Sequence, residues 1–519
     1  MQLIVDKLQH QLLLPATSCE TFHQRVMESH AHTQQAIDAR HDWAALREKA
    51  LNFGEAEQAL LVGHAFHPAP KSHEPFNQQE AERYLPDFAP HFPLRWFAVN
   101  KTQIAGESLH LNLQQRLTRF AAENAPQLLN ELSDNQWLFP LHPWQGEYLL
   151  QQEWCQELVA KGLIKDLGEA GAPWLPTTSS RSLYCATSRD MIKFSLSVRL
   201  TNSVRTLSVK EVKRGMRLAR LAQTDDWQTL QARFPTFRVM QEDGWAGLRD
   251  LHGNIMQESL FALRENFLVL PFPLFRQNVH QAAPDGGDSL LVAAVKRLSD
   301  RLGITAQQAA HAWVDAYCHQ VLKPLFTAEA DYGLVLLAHQ QNILVQMLGD
   351  LPVGLIYRDC QGSAFMPHAA GWLDTIGEAQ AENVFTREQL LRYFPYYLLV
   401  NSTFAVTAAL GAAGLDSEAN LMARVRTLLA EMRDQVTHKT CLNYVLENPY
   451  WNVKGNFFCY LNDHNENTIV DPSVIYFDFA NPLLAQESTS SSPTSAPAFS
   501  VISSFTILAM EFFSRYIRK

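Results

Sequence analysis

Ile192-Lys193-Phe194-Ser195-Leu196-Ser197-Val198-Arg199-Leu200-Thr201 alternates apolar and polar side chains without a break. A period of two predicts a β-strand with one buried and one wet face, because successive side chains of an extended chain point to opposite sides. An even separation puts Lys193 and Thr201 on the same face, and Arg205 lies just past the end. Upstream, Pro176-Thr177-Thr178-Ser179-Ser180-Arg181-Ser182 is a hydroxyl-rich turn. Two cations and several hydroxyls near one sheet face suit a phosphate or a tricarboxylate. An ordinary solvated strand face is the alternative that this pattern leaves open.

Working outward, residues 109–132 carry apolar side chains at helical spacing with a break at Pro126, and 210–222 reads as a helix. Helices are expected across 289–327, 389–415 and 417–436, and short strands at 332–337, 343–347 and 351–357. His339-Gln340-Gln341-Asn342 falls between the first two of these strands, and Arg358-Asp359 follows the third. An Asn and an Asp at the mouths of adjacent strands can hold Mg²⁺, a cation that takes hard oxygen ligands and bridges substrate phosphates. His339 can donate to a phosphate oxygen. A turn that satisfies its own backbone uses the same residue types.

Kinase-like phosphotransferases pair a similar Asn and Asp, but need a carboxylate shortly before the Asn to take the acceptor's proton. Here Leu336, Leu337, Ala338 and His339 hold those places, and no Walker lysine motif is present. The metal half without the base half favours adenylyl transfer, in which the attacking carboxylate is already a nucleophile. Two weaker clusters are the loop Gly63 to Ser72, with His64, His67 and Lys71, and Asn448 to Asn456, with aromatics and Lys454. For zinc the first lacks further ligands.

The chain has 519 residues, too many for one core. The expected division is a helical 1–135, a β-rich 136–320, a helix-rich 321–485 and a disordered Ser/Pro/Ala-rich 486–519. A net charge of −10 disfavours nucleic acid as a partner, so an anionic substrate requires a local cluster of Lys, Arg and His. Seven scattered cysteines with no CxxC pair fit a reducing cytoplasm. The first residues lack a signal-peptide layout, and no stretch predicts a membrane span.

Taken in order, GHAFHPAPKS, LHPWQ, PTTSSRS, the Lys193–Thr201–Arg205 strand, AHQQN and YRDCQG resemble the motifs of the IucA/IucC family, siderophore synthetases that work without a nonribosomal peptide template. The resemblance runs from about Gly63 to Asn481. It implies an α+β cupped hand of thumb, fingers and palm, with antiparallel sheets, helical layers and ATP in a cleft. Carried over by motif, Ser179, Lys193 and Arg205 hold the nucleotide's phosphates, with His339, Gln341 and Asn342 completing the pocket. Asn342 and Asp359 face Mg²⁺, and His67, Arg181 and Thr201 contact citrate. Lys193, Arg205 and His339 are the candidate catalytic residues. The implied reaction adenylates citrate and joins it to the amine of N6-acetyl-N6-hydroxylysine, and a homo-oligomer is compatible with it. A phosphotransferase and a degenerate citrate- or nucleotide-binding protein are the rival readings. The chain departs from the family at Leu337, where a Glu is usual, and at Cys459-Tyr460, where an Arg is usual.

Overall fold

Apolar, β-branched and aromatic runs between Phe92 and Glu265 pair into the largest sheet of the computed structural model, which describes residues 16–49, 51–63, 67–200, 203–266, 275–276, 283, 285–462 and 472–484. Its eight strands run in the order Ile104–Ser108, Gly244–Leu248, Phe261–Glu265, Asp190–Phe194, Ser182–Tyr184, Ile164–Pro176, Phe92–Asn100 and Gln136–Leu141. Every neighbouring pair is antiparallel. Helix Leu113–Asn124 starts at an Asn112/Gln115 capping box, which satisfies two backbone N–H groups that a helix start leaves open. It lays Leu117 and Phe120 on the sheet, against Trp96 and Trp174. The sheet therefore begins at Phe92, inside the stretch 1–135 that was expected to be helical. There the nearly unbroken apolar run Trp96-Phe97-Ala98-Val99 is buried, and a strand covered on both faces shows no alternation.

The alternating segment 192–201 is also not one strand. All five residues of Asp190–Phe194 are buried in the large sheet, Lys193 with 2% of its surface exposed. The chain leaves that sheet at Ser195, whose hydroxyl donates to the Gln257 carbonyl at 2.6 Å and accepts from the Leu207 N–H at 2.8 Å. Leu196–Leu200 then enters a separate three-stranded sheet with His73–Glu74 and Ser203–Arg205. The alternation persists through the switch because both strands remain extended. Lys193 thus points from a buried strand rather than a wet face, and Thr201 lies outside the described residues.

In the second half, helices Leu290–Leu302 and Ala306–Tyr317 pack against a four-stranded sheet, and Lys323–Tyr332 packs on strand Leu334–Leu336 of a two-stranded one. Ile343–Leu348 and Leu351–Tyr357 form its antiparallel centre, with Phe275–Arg276 on one side and a parallel Phe237–Val239 on the other. The helix expected at 389–415 forms as Arg387–Pro395 and Phe404–Ala412 joined by a π-helical Tyr396–Thr403. In that wider turn the Ser402 hydroxyl donates to the Ala338 carbonyl at 2.8 Å, and Asn401 Oδ1 accepts from the Gln340 N–H at 3.4 Å. Such bulges recur where a helix must meet a functional loop, and this one buttresses the His339–Asn342 turn. No helix of the described residues is long and apolar enough to cross a membrane. The expected disordered tail 486–519 lies outside the described residues.

Glu329 on helix Lys323–Tyr332 is 2% exposed, and burial pushes its pKa up to about 8. An unfolded glutamate ionises near 4.5, so the folded chain holds a proton that the unfolded chain has lost across the interval between. Stability is therefore greatest below the unfolded value and falls as pH rises through the folded one. Urea unfolding at pH 6 and pH 8 is expected to show lower stability at pH 8 by about 2 kcal/mol or more, and Glu329→Gln to remove most of that difference. Equal slopes in the two proteins would refute the assignment.

Candidate active site

A cleft of about 260 Å³ is lined mainly by residues from 70–73, 85–88, 178–205 and 339–359, joined by His32, Gln35, Leu60, Gly63 and Arg264. Six cationic side chains line it, Lys71, Arg181, Lys193, Arg205, Arg264 and Arg358, against two carboxylates, Asp87 and Asp359. A chain of net charge −10 thus concentrates positive charge in one cavity, where low-dielectric walls strengthen its field on an anion.

The turn 177–182 is closed by the Thr177 N–H on the Ser182 carbonyl at 2.9 Å and the Ser180 N–H on the Thr177 carbonyl at 2.8 Å. Ser180 adopts a left-handed φ of 59°, which turns the Ser179–Arg181 backbone and hydroxyls to the cleft. A buried tie fastens this turn to the opposite wall. Arg358 donates from Nη1 to Glu57 Oε1 at 2.9 Å and from Nη2 to Thr178 Oγ1 at 2.8 Å, while the Thr178 N–H donates to Glu57 Oε2 at 2.9 Å.

Lys193 Nζ lies between Asp359 Oδ1 at 2.9 Å and Glu242 Oε1 at 3.3 Å, and Arg264 Nη2 donates to the same Glu242 oxygen at 2.5 Å. Burial alone would raise the Asp359 pKa, but the charge and hydrogen bond of Lys193, then the charges of Arg181 and Arg264, hold it well below the usual carboxylate range. Glu242 is lowered in the same way, burial being outweighed by Lys193 and Arg264. Burial, then Arg181, brings Arg205 down to about 10, so it remains a cation at neutral pH. Arg181 is pinned by donation from Nη1 to the Arg205 carbonyl at 3.0 Å and from Nη2 to Gln361 Oε1 at 3.3 Å. Asp359 has φ 81°, a conformation that costs an L-residue energy and is kept only where the surroundings enforce it. The Tyr357 hydroxyl, donating to the Asp359 carbonyl at 3.2 Å, is part of that enforcement.

His339 Nδ1 accepts the Gln341 N–H at 3.3 Å, which in the neutral ring leaves the proton on Nε2 as a donor. Asn342 and Asp359 line the same cleft, while Leu337 packs against the apolar core. Among the described residues no group of three or more His, Cys, Asp or Glu side chains could hold a metal. One amide and one ionised carboxylate beside a cationic cleft fit Mg²⁺, which keeps water and anionic oxygens in its shell and seldom uses an all-protein cage.

Of the residues expected from sequence, Ser179, Arg181, Lys193, Arg205, His339, Gln341, Asn342 and Asp359 all line this cleft. His67 is not among the lining residues; it is buried, with Nδ1 accepting the Ala69 N–H at 3.1 Å and its ring edge-on to Tyr460 at 4.9 Å. His64 and Thr201 lie outside the described residues. Sequence reasoning missed Glu57, Glu242, Arg264 and the Lys71–Asp87 pair. Arg264 was detectable, since a charge inside Phe261-Ala262-Leu263-Arg264 contradicts an apolar strand unless it is paired.

Gly215 on helix Val209–Leu221 lets that helix approach Glu242: a Cβ there would sit 2.8 Å from Glu242 Cβ and 3.0 Å from Oε2. Gly215→Ala is expected to displace Glu242, cost about 1–3 kcal/mol of stability through overpacking and lower activity with it. Wild-type melting and turnover in that variant would show that the contact has slack.

Residues 52–295 match the model described as the IucA / IucC family, and residues 311–469 match the ferric iron reductase FhuF-like transporter model. The chain is 88% identical over 490 residues to an N(2)-citryl-N(6)-acetyl-N(6)-hydroxylysine synthase of Escherichia coli, covering 94% of this chain and 85% of that protein. It is 40% identical to the Vibrio mimicus protein of the same name, over 90% of this chain and 80% of that one. It superimposes on the ATP-bound aerobactin synthetase IucA of a hypervirulent Klebsiella pneumoniae with a TM-score of 0.90 and 95% identity, covering 93% of this chain and 86% of the other.

Proposed function

The chain belongs to the IucA/IucC family, and on that footing we propose that it is an ATP-dependent ligase that adenylates a carboxylate of citrate and condenses it with the amine of N6-acetyl-N6-hydroxylysine, as the names of its relatives indicate. The observation that carries the reading is the meeting of the 179–205 and 339–359 segments in one cationic cleft.

In the first half-reaction an oxygen of citrate attacks the α-phosphorus of ATP, and the bond to pyrophosphate breaks. No protein base is required, because the carboxylate arrives ionised. Lys193, Arg205 and the Nε2–H of His339 neutralise charge that grows on the phosphate oxygens, and being held beforehand they need not reorganise during the step. The Ser179–Ser182 turn supplies hydroxyl and N–H donors at the same anion, and Arg181 and Thr201 are the proposed citrate contacts. His67, the third citrate contact expected from the motifs, is buried beside Tyr460 and is not among the residues that line the cleft. Asn342 and Asp359 would hold Mg²⁺, which when bound screens the phosphates and orients the leaving pyrophosphate. In the second half-reaction the amine attacks the acyl carbon and AMP leaves. The cleft contributes by holding both partners in line.

The test is product identity. With citrate, ATP and N6-acetyl-N6-hydroxylysine the protein is expected to release AMP and pyrophosphate and to form the amide. Release of ADP would identify a phosphotransferase, and tight citrate or ATP binding without product would identify a binding protein.

A further inference from the structure

We propose that Asp87 anchors the ammonium group of the acceptor amine, in a subsite on the wall formed by residues 70–73 and 85–88, an inference that rests on the ligase reading above. An aliphatic amine is an ammonium ion at neutral pH. A cleft with six cationic side chains repels it except beside a carboxylate. Among the described residues two carboxylates line the cleft. Asp359 is taken up by Lys193 at 2.9 Å and, in the ligase reading, by Mg²⁺, whereas Asp87 pairs with Lys71 through Oδ1 and keeps Oδ2 for a second cation.

Its setting suits an ammonium on an aliphatic chain. Asp87 is 7% exposed, and its Oδ1 accepts from the Lys71 ammonium, which fixes the carboxylate's orientation. Oδ2 takes no hydrogen bond from a described residue, and a carboxylate can accept on both oxygens. Leu60, Leu85 and Phe88 line the cleft beside it, an apolar surface for methylene groups. His73, paired with Leu200 on the strand that leads towards Arg205, is buried, and burial followed by the neighbouring His32 lowers it to about 4. It is therefore uncharged at neutral pH and adds no repulsion. The chemistry balances simply: the bound ammonium loses one proton to water, and its lone pair forms the C–N bond to the citryl carbon. The C–O bond to phosphate then breaks with its electron pair leaving on AMP, and the second proton leaves the nitrogen.

The experiment separates the half-reactions in the full-length protein. Citrate-dependent ATP–pyrophosphate exchange reads the first. Amide formation reads the second, with either N6-acetyl-N6-hydroxylysine or hydroxylamine, a nucleophile uncharged at neutral pH. Asp87→Asn is expected to raise KM for the cationic amine by about tenfold or more, while exchange and hydroxylamine trapping change by less than about threefold. An unchanged amine KM overturns the proposal, and so does an equal loss with hydroxylamine. Lys71→Met keeps the carboxylate and removes its partner. It is expected to raise the amine KM by less than Asp87→Asn does, since the carboxylate stays though less firmly oriented, and a rise matching that of Asp87→Asn would overturn the proposal by showing that the ion pair serves structure alone. Absence of citrate-dependent exchange in the unmodified protein is a different result, since it removes the ligase reading itself.

Discussion

Lys193→Met is expected to lower citrate-dependent pyrophosphate release by about 10²–10³-fold, the effect typical of deleting one preorganised charge donor from a water-poor site. The methionine fills much the same volume in the buried strand, so the loss is of charge rather than of packing. Asp359 and Glu242 lose the cation that both of them contact, at 2.9 and 3.3 Å, and the Asp359 pKa moves back toward the usual range. Steady-state rates at saturating ATP and citrate, with a melting curve as the fold control, decide the matter. A variant that melts normally and retains full activity would remove Lys193 from the mechanism.

The second large effect is on stability. Arg358→Met leaves Glu57, a side chain with no exposed surface, as a buried charge with Thr178 as its one remaining partner among the described residues. Breaking one partner out of a buried pair costs about 3–5 kcal/mol. Equilibrium unfolding in urea is expected to show that loss, and Glu57→Gln in the same chain to recover part of it, since the two residues are coupled. A change below about 1 kcal/mol would mean that water reaches Glu57 once the guanidinium is gone. Activity is expected to fall along with stability, because the tie positions both the Thr178–Arg181 turn and the backbone next to Asp359.

Much of the site was legible because its chemistry is local in sequence. The hydroxyl turn, Lys193, Arg205 and the His339–Asp359 hairpin each announce themselves by residue type and spacing, and the motif order pointed to the family. What was not legible is long-range. Nothing near Lys193 reveals that Glu242 stands behind it, because that contact spans 49 positions and joins a strand to the connection ahead of strand Gly244–Leu248. The strand at 192–201 was misjudged for a related reason. Alternation reports that a chain is extended, but does not say which sheet each half joins, and the switch depends on Ser195 finding partners at Gln257 and Leu207. The Phe92–Asn100 strand hid in the same way, since burial on both faces erases the period that marks a strand.

The Glu57–Arg358–Thr178 tie has a consequence for how the protein comes to exist. Its bonds join residues 301 and 180 positions apart. Closure of such long loops is slow and comes only after much else is ordered. A ribosome must therefore deliver the chain past Arg358 before this tie can close, and until then Glu57 and the 178–182 turn wait without their partner. The cell thus holds a nascent chain whose Glu57 and Thr178 segments are synthesised well before the cleft they frame can form, and that interval is where chaperones and proteases compete for it.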